Sequence, residues 1–333
     1  MILVVSHAGD DHAAGVLAEL ERARHPAVLL DTARFPREAS LTQAFDGTRW
    51  RRRFVRDEAT IDLDACGAAW WRRPQPYTLH DGMTAEVASF SYSECHEAVA
   101  GAWASLDCTW VNPPHRDEVA HHKPSQLTVA AAVGMTVPRT LITNDPAEAR
   151  AFVADRGAAR TVYKTFLASE GCWRETRLLR DAELALLDTV AMAPVIFQEY
   201  VAADADVRVT VIGPWMFAAR IETPPSGYAV DYRMDMAGAR FAPLDLPAPV
   251  VQAIRSFMAR LGLVYGALDF RRTPAGEYVF LEVNPAGEWR FVEERTGQPI
   301  TQAMAQLLMD LDGRGRRPRG RRRDPRRSGG ARR

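Results

Sequence analysis

Two carboxylates and one side-chain amide occupy matched positions in a predicted hairpin late in the chain. The segment GALDFRR is followed by TPAGEY and then by VFLEVNPAGEW. With the turn centred between Ala275 and Gly276, Asp269 and Glu282 face each other, with Cβ atoms about 4.5–5.5 Å apart. Asn284 lies two residues beyond Glu282 and therefore on the same face of its strand.

Opposed carboxylates destabilise a hairpin unless a cation joins them. Three oxygen ligands on rigid strands suit Mg²⁺ that bridges phosphates, so Asp269, Glu282 and Asn284 are predicted metal ligands. The alternative is a solvated face on which Arg271 and Arg272 neutralise the carboxylates. The opposite face of the hairpin is predicted to join the core, with Leu268, Phe270, Val279, Leu281 and Val283.

Lysine is rare in this sequence: of 42 Lys and Arg residues, only Lys123 and Lys164 are lysines. An ammonium group is a compact point charge that enters a crowded phosphate site, whereas guanidinium is a broad planar fork. Lys164 lies inside the strand pattern TVYKTF, and a buried lysine usually has an anionic partner. Lys123 stands at the start of a predicted helix. Both are candidate phosphate ligands, although two lysines can also survive by chance.

Three arginines in the second half of the chain extend this basic set. Arg208 lies within one predicted strand, Arg220 near the end of the next, and Arg233 directly after Asp231 and Tyr232. Each of these arginines alone fits a structural ion pair. Together with the two lysines and the acidic hairpin, they are typical of a triphosphate site.

The elements that carry these residues begin with a βαβ pattern. Residues 2–5 and 27–31 are predicted strands, and residues 11–23 have helical spacing of apolar positions. This opening resembles half of a doubly wound sheet. No GxGxxG follows the first strand, so a dinucleotide site is not supported. A strand, a long helix and a Pro-rich turn complete this unit, at 68–74, 84–106 and 110–114.

Two further units follow, and the predicted fold class is α/β with α+β elements. In the second unit, Gly134 is predicted to stop a short helix, and Asn144-Asp145-Pro146 to cap the next one. The predicted strands are 137–143, 161–166, 195–201, 207–213 and 215–223, followed by the hairpin. The predicted helices are 124–133, 147–155, 249–261 and 300–311. The predicted boundaries are 1–115, 116–202, 203–312 and a tail at 313–333.

The composition is that of a water-soluble globular protein, with 47% hydrophobic and 25% charged residues in 333. No apolar run reaches the length of a membrane span. The N-terminus has no basic region typical of a signal peptide. The four cysteines are scattered, which predicts reduced thiols in the cytoplasm and no zinc site.

The formal net charge of zero conceals a basic tail. Residues 313–333 hold 11 arginines and one aspartate, so the preceding residues carry a net charge of −10. A segment of Arg, Gly and Pro cannot bury a core and is predicted to be disordered. Such a tail can bind nucleic acid or an acidic partner, but a dispensable extension is favoured.

The order of these motifs resembles the ATP-grasp fold over about residues 116–311. It runs from a lysine at a helix start, through a lysine on a strand, a small glycine loop and a strand ending in QE, to an Arg-bearing strand and the acidic hairpin. A narrower set is similar to the microviridin-type ATP-grasp peptide maturases, which make graspetides. That set is WWRRP, HKPSQL, GMTVPRTLIT, VYKTF, FQEYV, DVRVTVIG, DYR and the hairpin. It spans nearly the whole chain and implies an N-terminal pre-ATP-grasp, Rossmann-like domain.

The resemblance implies ATP and Mg²⁺ as ligands and assigns roles to single residues. Lys123 and Lys164 would contact the ATP phosphates, and a loop around Gly171 would cover them. Asp206 would reach the ribose. The hinge strand at the adenine would be formed by Gln198, Glu199 and Val201.

Further roles concern the reaction itself. Arg208 and Arg220 would stabilise the transferring phosphoryl group or the tetrahedral intermediate, and Arg233 would meet phosphate or the substrate carboxylate. Asp269, Glu282 and Asn284 would bind Mg²⁺.

The implied activity is a ligase that cross-links the side chains of a ribosomal precursor peptide, which consists of a leader and a core. A homodimer is a further expectation, and a membrane partner is not expected. A ligase for a free amino acid or small peptide shares the same ATP site, but WWRRP favours the macrocyclase. The basic tail suggests a third class, a nucleotide-binding regulator or RNA-associated protein.

Overall fold

The computed structural model describes residues 1–166, 176–223, 234 and 236–315. The strands are β1 Ile2–Val5, β2 Ala27–Leu30, β3 Ala39–Phe45, β4 Trp50–Arg56, β5 Ala59–Asp62, β6 Ala68–Trp71, β7 Thr109–Val111, β8 Thr140–Thr143, β9 Thr161–Lys164, β10 Arg177–Leu178, β11 Val195–Glu199, β12 Ala205–Ile212, β13 Trp215–Glu222, β14 Arg240–Pro243, β15 Tyr265–Arg272 and β16 Tyr278–Asn284. The α-helices are α1 Asp11–Arg22, α2 Ala85–Ser105, α3 Pro114–His121, α4 Lys123–Ala132, α5 Pro146–Arg156, α6 Ala248–Leu261, α7 Arg290–Thr296 and α8 Ile300–Gly315.

The N-terminal part forms a four-stranded parallel sheet in the order β2-β1-β6-β7. This arrangement confirms the predicted βαβ opening. All four residues of β1 are buried, and α1 packs Val16 and Leu20 into one cluster with Ile2 and Val4. Strand β7 lies partly in the segment predicted as a turn: Trp110 and Val111 are buried at the sheet edge before Pro113 ends the pairing.

A three-stranded antiparallel sheet, β3-β4-β5, has no counterpart in the predictions. Its middle strand reads WRRRFVR, so charged residues stand where a half-buried strand usually carries apolar ones. Arg52 is buried there and donates a hydrogen bond to the hydroxyl of Ser105 at 2.9 Å. The sequence pattern does not predict this sheet, because a buried arginine with polar partners stands where an apolar residue would indicate a strand.

Two antiparallel sheets contain the remaining described strands. One has the order β10-β9-β11-β8, and the other has the order β14-β13-β12-β15-β16. The predicted end of α4 and the predicted cap of α5 are both confirmed. Gly134 has φ +82 after α4, and Asp145 caps α5 by accepting a hydrogen bond from Ala147 N at 2.8 Å. Of the predicted site residues, these sheets carry Lys164, Arg208, Arg220, Asp269 and Glu282, among others, whereas Lys123 begins α4.

Helix α8 packs back onto the N-terminal sheet, although it follows the hairpin in sequence. Met304 and Leu308 are fully buried in one cluster with Ile2 and Leu20. Trp289, which lies just after the hairpin, joins this cluster. The last helix and the parallel sheet therefore share one core with the segment that leaves the hairpin.

A buried ion pair ties the N-terminal sheet to the segment after the hairpin. Arg72 Nε donates to Asp10 Oδ2 at 3.1 Å, and both side chains have no exposed surface. Arg72 Nη1 also donates to the backbone carbonyls of Ala286 and, at 3.0 Å, Gly287. The position of the segment after the hairpin thus depends on a residue of the WWRRP motif.

Replacing Asp10 by Asn is expected to lower the free energy of unfolding at neutral pH by about 3–5 kcal/mol, because Arg72 is left buried without a counter-charge. Burial raises the pKa of Asp10, but hydrogen bonding with His12, the charge of Arg72 and the Ser6 hydroxyl outweigh it and lower this pKa below its usual range. Its stabilisation is therefore present above the unfolded-state pKa of about 4 and is lost as the pH falls further.

Urea unfolding at pH values from 7 to 3 tests this prediction. The gap between wild type and Asp10→Asn should shrink below about pH 4. Asp188→Asn is the control, because its carboxylate is 73% exposed in an ion pair with Arg150. A gap that stays constant down to the lowest pH would contradict the assigned cause.

No helix in the described ranges is long and apolar enough to cross a lipid bilayer.

Candidate active site

The hairpin has the predicted register at its polar end. Asp269 pairs with Glu282, and Ala267 pairs with Asn284. The turn closes with a hydrogen bond from Gly276 N to Thr273 O at 2.8 Å, and Gly276 has φ +83. The two predicted carboxylate ligands therefore lie side by side on adjacent strands.

A β-bulge follows directly and corrects one core prediction. Beyond Asp269 the register shifts, so that Phe270 pairs with Phe280. Phe280 is fully buried and takes the core position that was predicted for Leu281. Leu281 is half-buried and lines the cavity described below. The bulge inserts one residue into one strand and so changes which side chains face inwards.

Each hairpin carboxylate has a cationic partner from another element. Arg208, opposite Asp269 on β12, donates from Nη1 to Oδ1 and Oδ2 of Asp269 at 2.9 and 2.8 Å. Lys123 Nζ forms an ion pair with Glu282. The alternative partners predicted from sequence contact other acids: Arg271 pairs with Asp206 at 3.2 Å and Arg272 with Asp204 at 2.7 Å. The hairpin is therefore not a self-neutralised surface face.

Helix α4 is attached to the edge of β16 by the side chain of Gln126, and this attachment places Lys123 beside Glu282. Gln126, which is 1% exposed, donates to Val283 O at 2.9 Å and accepts from Val283 N at 3.0 Å. These two bonds satisfy the open edge of β16 in the manner of a neighbouring strand. Lys123 lies one helical turn before Gln126 and is thereby held next to the metal-ligand candidates.

Lys164 ends β9, opposite Ile196 on β11. Its Nζ donates to Oε1 of Gln198 at 3.2 Å, and Gln198 Nε2 donates to the Thr140 hydroxyl at 2.9 Å. Gln198 is 4% exposed, so these two hydrogen bonds fix its amide and thereby orient the Lys164 ammonium group. The lysine is half-buried and lines the cavity described next.

One cavity of about 610 Å³ lies between the two antiparallel sheets. Both the hairpin and the segment 198–201 line it, and the part lined by Asp269, Glu282 and Asn284 is called the hairpin end. Ten of the thirteen predicted site residues line it: Lys123, Lys164, Gln198, Glu199, Val201, Asp206, Arg208, Asp269, Glu282 and Asn284. The cavity thus joins lysines, arginine and oxygen ligands that the sequence separates by up to 161 positions.

The other three predicted residues are not in this set. Arg220 on β13 forms ion pairs with Glu222 at 2.7 Å and Asp204 at 3.7 Å, and it is not a lining residue. Gly171 and Arg233 lie outside the described residues. The roles implied for these three residues stay predictions.

Several lining residues were missed by sequence reasoning. Arg73 and Glu288 reach the cavity from the N-terminal sheet and from the segment after the hairpin, and they pair with each other at 2.7 Å. Their only signal in the sequence is membership of the WWRRP and NPAGEW motifs. Arg271 is buried against the Tyr200 ring at 5.3 Å. Contacts between distant segments bring these residues in, so spacing within one element does not reveal them.

The donor chemistry at the hairpin end fits Mg²⁺. Two carboxylates and one amide supply oxygen donors only, which is the ligand class that Mg²⁺ prefers. Arg208 forms an ion pair with Asp269 and Lys123 with Glu282, so cationic groups lie beside the place where phosphate oxygens and the metal would meet. The arrangement is able to hold a nucleotide phosphate chain and to neutralise its charge.

Comparison with known proteins agrees with this arrangement. Residues 1–118 match the family described as the MvdD pre-ATP grasp domain. A search of curated proteins finds no significant match. Among solved structures, the macrocyclase MdnC from Microcystis aeruginosa MRC, bound with precursor peptide MdnA, is 29% identical with a TM-score of 0.83. That alignment covers 93% of this chain and 99% of MdnC.

Two more structures show the same likeness. The macrocyclase MdnB from Microcystis aeruginosa MRC is 29% identical with a TM-score of 0.77, over 92% of this chain and 98% of MdnB. The ATP-grasp ligase PsnB, complexed with a phosphomimetic variant of a minimal precursor, Mg and ADP, is 25% identical with a TM-score of 0.76, over 93% and 98% of the chains. In its N-terminal residues and in its fold over more than nine tenths of its length, this chain is similar to the macrocyclases MdnC and MdnB, as its motifs predict.

Proposed function

We propose that this protein is an ATP-dependent ligase that forms ester or amide cross-links between side chains of a ribosomal precursor peptide. The observation that carries the proposal is that Lys123, Lys164 and the opposed pair Asp269 and Glu282 line the same cavity. The likeness to MdnC, which was crystallised with a precursor peptide, supports the choice of substrate.

The chemical problem is that a carboxylate is a poor electrophile. In the proposed reaction, an Asp or Glu side chain of the peptide attacks the γ-phosphorus of ATP, which forms an acyl phosphate and releases ADP. A Ser or Thr hydroxyl, or a Lys amine, then attacks the acyl carbon. The bond to phosphate breaks, phosphate leaves, and the attacking group loses its proton. Both groups belong to one peptide, so the attack is effectively unimolecular.

Each group of residues in the cavity would have its own role in this reaction. Lys123 and Lys164 would bind phosphate oxygens as point charges, and Arg208 would stabilise the charge that is spread over the transferring group. Asp269, Glu282 and Asn284 would hold Mg²⁺, which would neutralise the phosphate oxygens when bound. Segment 198–201 and Asp206 would contact adenine and ribose.

Direct attack on the acyl phosphate is preferred over an acyl-enzyme. Among the described residues that line the cavity there is no serine or cysteine. Burial also raises the pKa of the Cys66 and Cys108 thiols to about 12, so neither is a ready nucleophile. The hydroxyl or amine of the peptide itself therefore completes the bond.

The proposed architecture keeps the boundaries 1–115, 116–202, 203–312 and 313–333. A homodimer is proposed as the working assembly, and the leader and core of the peptide as its partner. The Arg-rich tail is proposed to be dispensable for ligation, so that removing residues 313–333 leaves the reaction in place.

The test is incubation with ATP, Mg²⁺ and the peptide encoded beside this gene, followed by mass spectrometry. Each new bond should remove the mass of one water from the peptide, with one ADP and one phosphate formed per bond. Omission of ATP or of Mg²⁺ is the control. A peptide that keeps its full mass while its leader and core are intact would refute the proposed function.

A further inference from the structure

Arg73 stands at the carboxyl end of β6, near the centre of the parallel sheet. Its backbone N–H and that of Arg72 both donate to Val5 O, at 3.2 and 3.1 Å. Open α/β sheets place their ligands at the carboxyl ends of strands. The backbone of Arg73 is thus fixed where a ligand group is expected.

The Arg73 side chain reaches the cavity at its hairpin end. Its Nη2 donates to Glu288 Oε1 at 2.7 Å, and both residues line the cavity. The backbone carbonyl of Glu288 accepts from Arg208 Nη2 at 2.8 Å, and Arg208 in turn binds Asp269. Arg73 is therefore linked to the metal-ligand candidate Asp269 by three successive contacts, through Glu288 and Arg208, on the side where the γ-phosphate of ATP would lie.

The ion pair between Arg73 and Glu288 can separate at little cost, which leaves Arg73 able to bind another carboxylate. Their side chains are 40% and 52% exposed, and an exposed pair of this kind contributes little to stability. Arg72 has the opposite character: it is fully buried and holds the carbonyls of Ala286 and Gly287. One arginine therefore fixes the segment, while the next offers a planar fork of donors that matches a carboxylate.

We infer that Arg73 binds the side-chain carboxylate of the peptide Asp or Glu that is to be activated, and that Glu288 occupies this position until the peptide enters. The inference rests on the proposed function, because that reaction brings a carboxylate of the peptide to the hairpin end of the cavity. It makes Arg73 the residue that selects an acidic side chain over its amide. Glu288 then acts as an internal competitor for the same guanidinium.

The test compares binding of two synthetic peptides in the presence of Mg²⁺ and ADP, so that no turnover occurs. One is the precursor encoded beside this gene, and the other has Asn and Gln in place of every core Asp and Glu. The wild type is expected to bind the acidic peptide about tenfold more tightly than the amide peptide. Arg73→Gln should abolish this preference, and Arg73→Lys should retain part of it.

Two further variants sharpen the result. Arg34→Gln is the matched control, because Arg34 is also 40% exposed and pairs with a half-exposed glutamate, Glu38, at 2.7 Å outside the cavity; it should keep the full preference. Glu288→Gln removes the internal competitor and should tighten binding of the acidic peptide about threefold. These opposite shifts are not expected of a purely structural ion pair.

The outcomes separate the inference from the proposed function. A preference that persists in Arg73→Gln, or that is absent in the wild type, overturns the role of Arg73. A rise of the KM for ATP in Arg73→Gln with the peptide preference intact assigns Arg73 to phosphate and also overturns it. Loss of water from the precursor with the wild-type enzyme is measured separately, and its absence counts against the proposed function.

Discussion

Glu282→Gln is expected to lower the rate of ATP-dependent ligation about 100-fold, because a metal ligand loses its charge at the point of phosphoryl transfer. The substitution keeps the size of the side chain and one oxygen. It removes one of the two opposed carboxylates of the hairpin and leaves the Lys123 ammonium facing a neutral amide. The concentration of Mg²⁺ that gives half of the maximal rate should rise about tenfold.

Glu277→Gln is the matched control on the same hairpin. Glu277 is exposed at the turn and accepts a hydrogen bond from the Thr136 hydroxyl at 2.7 Å, away from the lining residues of the large cavity. Its turnover should stay within about twofold of the wild type. Thermal unfolding of both variants shows whether the fold is kept. A magnesium titration of Glu282→Gln that coincides with that of the wild type would contradict the assigned role.

The facing of Asp269 and Glu282 was predicted from a turn centred between Ala275 and Gly276. The strand pairs next to the turn, such as Arg272 with Tyr278, are instead centred on Ala275, and the bulge after Asp269 shifts the register by the one residue that brings Asp269 opposite Glu282. The bulge after Asp269 was not predictable. It depends on Phe280 packing into the core and on Thr136 O accepting from Phe280 N at 2.9 Å, which are contacts with other parts of the chain.

Among the cationic residues of the site, too, some features were predictable from the sequence and others depend on contacts between distant segments. Lys123 and Lys164 were recognisable because they are the only lysines in an arginine-rich sequence. The partners of these groups were not recognisable, since Gln126 reaches β16 and Arg208 meets Asp269 only after helix and sheet have assembled. Residue type and local spacing therefore identified candidates, whereas the pairing of distant elements decides which candidates meet.

Lys164→Arg is expected to reduce kcat/KM for ATP about 100-fold, although the positive charge is kept. Lys164 Nζ lies 3.2 Å from Gln198 Oε1, and the buried Gln198 is itself held by Thr140. A compact ammonium fits between this amide and a phosphate oxygen. A guanidinium is longer and planar, so it would displace Gln198 or enter the space of the phosphate.

Three comparisons decide between charge and shape at this position. Lys164→Met removes both and should be at least as slow as Lys164→Arg. The reverse exchange Arg150→Lys, at a 45% exposed ion pair with Asp188, should change the rate by no more than about twofold. Rates are measured as ADP formed at limiting ATP with saturating peptide. If Lys164→Arg turns over at the wild-type rate, charge alone suffices, and the scarcity of lysine in this chain has no bearing on phosphate binding.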